Sequence, residues 1–437
     1  MKKVLLNICL AAIFLSANAQ ENVYPAPAQS APIYILNATL HIGNGTVLEK
    51  TNLKIIDGKI AEISKVMAVP LMISPNIIQA DGKHVYPGLI LPNTNLGLNE
   101  VPSVRATQDA QEIGDMNPNI RSIVAYNTDS KVINVLKANG ILLANIVPNG
   151  NMVMGTSTVV QLDAWNWEDA AYKLDQGMHI NLPSLINRPN PFAEFLGLPQ
   201  STESPVKRGL EQIEKLKAYF REAKNYTEGS SPKNLKLAAV QQVLQKKQKL
   251  FVHCDAVKEM LIAIDFAKEF AIDVVIVGGS DSYLIANLLQ QNNIAVILGQ
   301  SHSLPTLQDD DVDQPYKTAA ALQKAGVLFA INDDDGNSRF RNLAFNAGTA
   351  AAYGLTKEEA LAAITLNPAK ILGIADKTGS LEVGKDANIV ISEGDILDMK
   401  TSIITAAFIQ GRRVSLDNKQ KQLYERYKYK YGLKDGK

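Results

Sequence analysis

Asn93 and Asn95 stand two residues apart at the end of an apolar run, Leu89-Ile90-Leu91-Pro92. On a strand that spacing turns both amides to one face. An amide hydrogen-bonds well, but its neutral carbonyl is a weak zinc ligand compared with imidazole. Five histidines are present. His253 ends the strand-like run Lys249–His253, and His302, in Ser301-His302-Ser303-Leu304-Pro305, follows another strand-like run and is placed to line a pocket. Asp334 lies in Asp333-Asp334-Asp335-Gly336-Asn337, just past the run from Val327 to Ile331. A carboxylate there can cap a turn or take a proton from water. The acidic run Asp309-Asp310-Asp311-Val312-Asp313 lacks the glycine and closing glutamate of an EF-hand and reads as a solvated loop. His41, His84 and His179 are read as lying away from the barrel mouth expected below and receive no role.

The elements that must hold these residues fit in 437 residues, room for one large domain and a smaller one. Lysine plus arginine (44) balances aspartate plus glutamate (44), which leaves no electrostatic footprint for nucleic acid. Lys2 and Lys3, the apolar run Val4 to Leu15 and Ser16-Ala17-Asn18-Ala19 form a signal peptide, residues 1–19, with export to a periplasmic or extracellular space expected. No later stretch is long and apolar enough to span a bilayer. Cys254 is then the one cysteine left, expected to be buried, so no internal disulfide can form.

Residues 20–32 read as a proline-punctuated extended leader. From Ile33 short β-type runs begin, and Asp57-Gly58 between two of them marks a tight hairpin. The same texture returns at Gly379–Ile391, Ser402–Ile409 and Gly411–Val414. Residues 33–85 and 378–416 are therefore expected to build one composite β-sandwich domain. Between them strand-like and helix-like segments alternate. Val274–Val277, Ile294–Leu298 and Gly326–Ile331 read as buried strands, and Ala256–Phe270, Ser282–Gln291 and Thr318–Ala325 as helices. Thr356-Lys357-Glu358-Glu359 is a capping box. The expected class is α/β, a (β/α)8 TIM-like barrel over residues 86–377. The upstream half is the less legible. Val206 to Lys224 reads as an amphipathic packing helix. The tail, 417–437, alternates basic residues with Tyr424, Tyr427, Tyr429 and Tyr431 and reads as a solvated helix.

Tyr86-Pro87-Gly88-Leu89-Ile90-Leu91-Pro92-Asn93-Thr94-Asn95 resembles the first barrel strand of the amidohydrolase superfamily, where a Pro-Gly turn leads into His-x-His. The resemblance is nearest to its exported, imidazolonepropionase-like branch and covers nearly all of the chain after residue 19. Ile35-Leu36-Asn37-Ala38-Thr39-Leu40-His41-Ile42-Gly43-Asn44-Gly45 and Ile56-Asp57-Gly58-Lys59-Ile60 carry it in front. Thr365-Leu366-Asn367-Pro368-Ala369-Lys370-Ile371-Leu372-Gly373 and Gly379-Ser380-Leu381-Glu382-Val383-Gly384-Lys385-Asp386-Ala387 carry it behind. These are fold signatures more than activity signatures. The resemblance implies zinc or another divalent metal, and hydrolysis of carbon–nitrogen bonds other than peptide bonds, such as cyclic amides, or of small peptides.

Carried over by position, Asn93 and Asn95 replace the two histidines, His253 matches the strand-five histidine and Asp334 the strand-eight aspartate. The strand-six histidine falls at Val277 or Gly278, and no bridging lysine or glutamate can be placed. The expected metal ligands are thus His253 and Asp334 alone, with Asp334 the catalytic base of any residual mechanism. Asn93, Asn95 and His302 are expected to contact substrate. Two functions follow: a hydrolase of weak or no activity with a degenerate metal site, or a catalytically silent structural partner of an intact amidohydrolase paralogue. Expected partners are a small-molecule substrate and either such a paralogue or a second copy of the chain.

Overall fold

The structure, a computed structural model, describes residues 23–69, 76–186, 204–227, 233–305, 309–333, 336 and 339–433. The signal sequence expected at 1–19 and the expected base Asp334 lie outside the described residues.

Sixteen strands make two sheets among the described residues. Five come from the front of the chain: β1 (Ile33–His41), β2 (Val47–Ile56), β3 (Lys59–Ser64), β4 (Ile77–Gln79) and β5 (His84–Pro87). Eight follow in the middle: β6 (Leu89–Thr94), β7 (Ile141–Ile146), β8 (Val153–Gln161), β9 (Ala171–Asn181), β10 (Lys249–Cys254), β11 (Val274–Gly278), β12 (Ala295–Leu298) and β13 (Phe329–Ile331). Three close the chain: β14 (Ile389–Ser392), β15 (Ile404–Ile409) and β16 (Arg412–Arg413).

The two chain ends share one sheet, because β14 pairs antiparallel with β5, setting Ile389 opposite Pro87 and Ser392 opposite His84. Asp57 and Gly58 both take positive φ in the two-residue turn between β2 and β3, the geometry Asp-Gly favours. This sheet buries its own core of Ile35, Leu40, Leu53, Ile55, Ile389 and Phe408.

The strands β6 to β13 lie side by side in chain order. β9 through β13 are parallel, as the strand–helix rhythm requires, and β6 is parallel to β7. The departure from a uniform (β/α)8 pattern is β8, antiparallel to both β7 and β9. Its connections explain this. Residues 147–152 and 162–170 are too few for a helical crossover, and short links join antiparallel strands. Between β13 and β6 the ring is closed by other groups. Ala363 and Ile364 accept from the backbone N–H of Ile331 and Ile90, each at 2.9 Å. The side chain of Asn332 brackets the backbone of Asn93, donating to its carbonyl at 2.9 Å and accepting from its N–H at 3.2 Å.

Helices expected in the second half are present as Val257–Phe270, Ala286–Gln291 after a 3-10 turn at Ser282–Ile285, and Gln314–Lys324. The capping box forms, with Glu359 accepting from both the N–H and the hydroxyl of Thr356 at 2.8 Å. The packing helix runs Pro205–Asn225 and buries Ile213, Leu216 and Phe220. The leader residues 23–30 form no regular element, and Ala26 donates its N–H to the carboxylate of Asp163 at 2.8 Å. The tail forms a helix, Lys419–Tyr431. No described helix is long and apolar enough to cross a membrane.

Candidate functional site

The site begins with what β9 and β10 carry inward. Phe251 and His179 are register partners, and the side chains stack at 4.7 Å between ring centroids. Gly177 makes this possible, since a Cβ there would lie 2.2 Å from the Phe251 ring. One pair further along, His253 stands opposite Asn181. His253 Nε2 meets His179 Nδ1 at 2.9 Å, and His179 Nε2 meets the Ser157 hydroxyl of β8 at 2.8 Å. Gln176 donates to Ser157 Oγ and to Asn145 Oδ1, and Asn145 donates to the carbonyl of Pro92, just before Asn93. Asn145, Ser157 and His179 are wholly buried. A continuous hydrogen-bonded chain therefore crosses the barrel interior from β6 to β10.

This chain fixes the chemistry of His253. Burial pushes its imidazole down to about 4, and burial followed by the neighbouring His253 ring pushes His179 well below its ordinary value. Both rings are neutral near pH 7. Ser157 has one hydroxyl proton. Given to His179 at 2.8 Å, it makes His179 donate through Nδ1 and leaves His253 with its proton on Nδ1, the nitrogen remaining for the cavity. The reverse order would send that proton to the Gly177 carbonyl at 3.4 Å, at the long limit of a hydrogen bond. The shorter geometry favours the tautomer in which neutral His253 presents an N–H toward the cavity.

His253 and Asn181 form the wall between two chambers at the C-terminal ends of the strands. The first, about 380 Å³, is lined by Asn93, Asn95, Asn149 and Asn181 with Met154 and Phe340, and no charged side chain borders it among the described residues. Asn93 is 8% exposed, and its buried Oδ1 has no hydrogen-bond partner. The second, about 490 Å³, carries the carboxylates of Asp255, Glu259 and Asp310. Both oxygens of Glu259 are engaged by the N–H groups of Leu185 and Ala256. Asp255 accepts from the Ser280 hydroxyl at 2.9 Å, and Asp310 from the Tyr283 hydroxyl at 2.8 Å. Gly278 has positive φ, and a Cβ there would come within 2.7 Å of Asp255.

Asn93, Asn95 and His253 thus meet at one mouth. His302 does not join them. Its Nε2 contacts the Thr349 hydroxyl at 2.7 Å and its ring lies edge-on to Tyr316, while its neighbours Ser301 and Ser303 line the larger chamber. The loop turns the ring onto the helix Leu343–Ala352, and His302 lines neither chamber. Asp333, beside Asp334, is buried and accepts from Asn346 at 3.0 Å. In the acidic run, Asp311 and Asp313 pair with Lys317 at 3.1 and 2.7 Å. Cys254 is free and buried, its thiol pushed up by burial and by the carboxylates of Asp255 and Glu259.

The reading of His179 as remote from the mouth is also corrected, since it holds His253. The signal was there: Gly177, His179 and Asn181 alternate with the apolar Met178 and Ile180, a period of two that marks a strand. Asn181, level with His253, is a further mouth residue that the sequence reading passed over, and it donates to the carbonyls of Gly150 and Asn151 at 2.8 Å.

A zinc-type centre needs several imidazole, thiolate or carboxylate ligands around one point. Val277 lies opposite His253 and leaves no strand-six ligand. Among the described residues no group of three or more His, Cys, Asp or Glu side chains converges to hold an ion. Among the described residues, one imidazole, four amides and a valine do not fit such a centre.

A family profile described as "Amidohydrolase family" matches residues 154–414. The chain is similar to the amidohydrolase tasK of Hapsidospora irregularis, 21% identical over 359 residues, which are 74% of this chain and 35% of that protein. It is also similar to the imidazolonepropionase of Thermoplasma volcanium, 37% identical over 100 residues, 22% of this chain and 25% of that one. The matches thus span about a third and a quarter of these curated relatives. Among solved structures, an amidohydrolase from Thermotoga maritima superposes with a TM-score of 0.75 at 27% identity, over 88% of this chain and 99% of that chain. A zinc-bound adenosine deaminase from Xanthomonas campestris shares the fold alone, with a TM-score of 0.54 at 14% identity over 93% and 99%.

Proposed function

The chain belongs to the amidohydrolase family and has its hydrolase fold, and from that premise we propose that its barrel mouth binds a small, neutral, amide-bearing molecule with metal-dependent hydrolysis weakened or lost. The observation that carries this reading is the buried hydrogen-bonded chain that ends on His253. His253 is the one imidazole at the mouth, and the buried chain behind it favours a proton on its cavity-side nitrogen. An N–H there is a hydrogen-bond donor and cannot at the same time be a metal ligand.

The neighbouring groups support the same reading. The smaller chamber offers primary amides rather than charges, and Asn93 has an unused buried acceptor. A cyclic amide presents an N–H and a carbonyl side by side. The first would pair with an amide oxygen of the chamber wall, and the second would accept from His253. Any residual hydrolysis would rely on Asp334 as base toward water, so Asp334→Asn should abolish it and leave binding intact.

The test is a panel of lactams, hydantoins and imidazolones, followed by thermal shift and by turnover, with and without added zinc or manganese. Ligand-dependent stabilisation without metal-dependent turnover is expected. Turnover in the ordinary enzymatic range of about 1 per second or faster with metal would overturn the proposal.

A further inference from the structure

The C-terminal helix, Lys419–Tyr431, lies outside all of this chemistry and buries none of its residues. It carries five cations, Lys419, Lys421, Arg426, Lys428 and Lys430, against the single anion Glu425, in a chain whose net charge is zero. Its tyrosines are exposed: Tyr424 at 65%, Tyr427 at 51% and Tyr431 at 64%. These three recur at i, i+3 and i+7 and so form one stripe. Asn418 and Gln422, at the other side of the helix, border the cleft that joins it to the body of the protein, so the stripe faces solvent. Lys428 sits over the ring of Tyr424, and Lys430 over the rings of Tyr427 and Tyr431, at 5.2–5.8 Å from the centroids.

We propose that this helix is a docking surface for an anionic phospholipid membrane, with the tyrosine stripe at the headgroup level and the flanking cations on lipid phosphates. Tyrosine suits that boundary because its ring is apolar and its hydroxyl is wet. Lysine and arginine stems can lie along apolar surface while their charges reach the phosphates. One feature favours a lipid surface over a soluble polyanion. The aromatic residues form a continuous outward stripe rather than lining a groove that could track a strand.

The experiment is vesicle co-sedimentation of the chain from Gln20 onward, which retains every described residue and removes the apolar run. Vesicles of phosphatidylcholine alone are compared with equal parts of phosphatidylcholine and phosphatidylglycerol. Binding to the anionic vesicles only, released by high salt, is expected. The combined change Lys419→Gln, Lys421→Gln and Lys430→Gln should weaken it at least about tenfold. The charge-neutral change Tyr424→Gln, Tyr427→Gln and Tyr431→Gln should weaken it several-fold with the salt dependence retained. Both variants keep good helix formers, and circular dichroism checks the fold. Equal binding to neutral vesicles, wild-type binding by the lysine variant, or binding to heparin or nucleic acid with none to vesicles would overturn the proposal.

Discussion

Two histidine pairs, each with a nitrogen–nitrogen contact of 2.9 Å, do different work in this molecule. In the barrel, His179 and His253 end on the hydroxyl of Ser157. At the seam between the barrel and the composite sheet, His41 of β1 and His84 of β5 end on a carboxylate, with Glu358 2.7 Å from His41 Nδ1. Tyr86 stacks on His41 at 4.4 Å and its hydroxyl accepts the N–H of Ile396. A hydroxyl gives no ionic reward for protonation, so the barrel pair stays neutral and serves to orient a donor. A carboxylate accepts only, so His41 donates to Glu358 through Nδ1, and the seam pair clamps β1 and β5 to the helix Lys357–Ala362, while burial and the neighbouring His41 ring hold His84 below its ordinary value. The terminal acceptor, more than the imidazoles, sets the role.

The largest expected effect comes from cutting the barrel chain. His179→Ala removes a wholly buried ring, opens a void against Phe251 and strands Ser157 and His253. Urea denaturation should show a loss of about 4 kcal/mol.

Acid should affect the barrel pair next. Burial holds His253 at about 4, whereas an imidazole in the unfolded chain titrates near 6.5. As pH falls, the unfolded chain therefore takes up the proton first. Stability present above pH 6.5 is lost between 6.5 and about 4, by roughly 3 kcal/mol for this group. A flatter unfolding profile in His253→Gln over that window checks the assignment. A wild-type profile that is already flat would break the contrast between the pairs.

At the seam, Glu358→Gln removes the charge partner of His41 and should cost about 2 kcal/mol, the scale of a hydrogen bond to a charged group. Its effect should be seen in stability and not in ligand affinity. Asn93→Ala should do the opposite and weaken a bound cyclic amide roughly tenfold by calorimetry, with little change in melting temperature. The smallest effect belongs to His302, which is exposed and bonded to Thr349. His302→Ala should change stability by no more than about 0.5 kcal/mol and leave ligand affinity unchanged.

The contrast between the pairs also marks what the sequence could reveal. Local rules placed the Asp57-Gly58 hairpin, the Thr356–Glu359 box and the parallel strands from β10 onward, because each signal is confined to a few neighbouring residues. The antiparallel β8 was hidden, since its nine residues are buried throughout and no in–out alternation marks them. His253 and Asn93 were legible as positions on strand ends. The partners that decide their chemistry were not, because Ser157 and His179 lie 96 and 74 residues before His253 and meet it only when the barrel forms. The direction of the His302 ring was hidden for a related reason: a loop position says little about which way a ring turns.

The central claim is that this mouth has exchanged a metal centre for a hydrogen-bonding site. The most direct test is elemental analysis of the purified protein after loading with zinc and manganese and desalting. The account predicts metal far below one ion per chain. A near-stoichiometric ion, released when His253 is replaced by Gln, would contradict it.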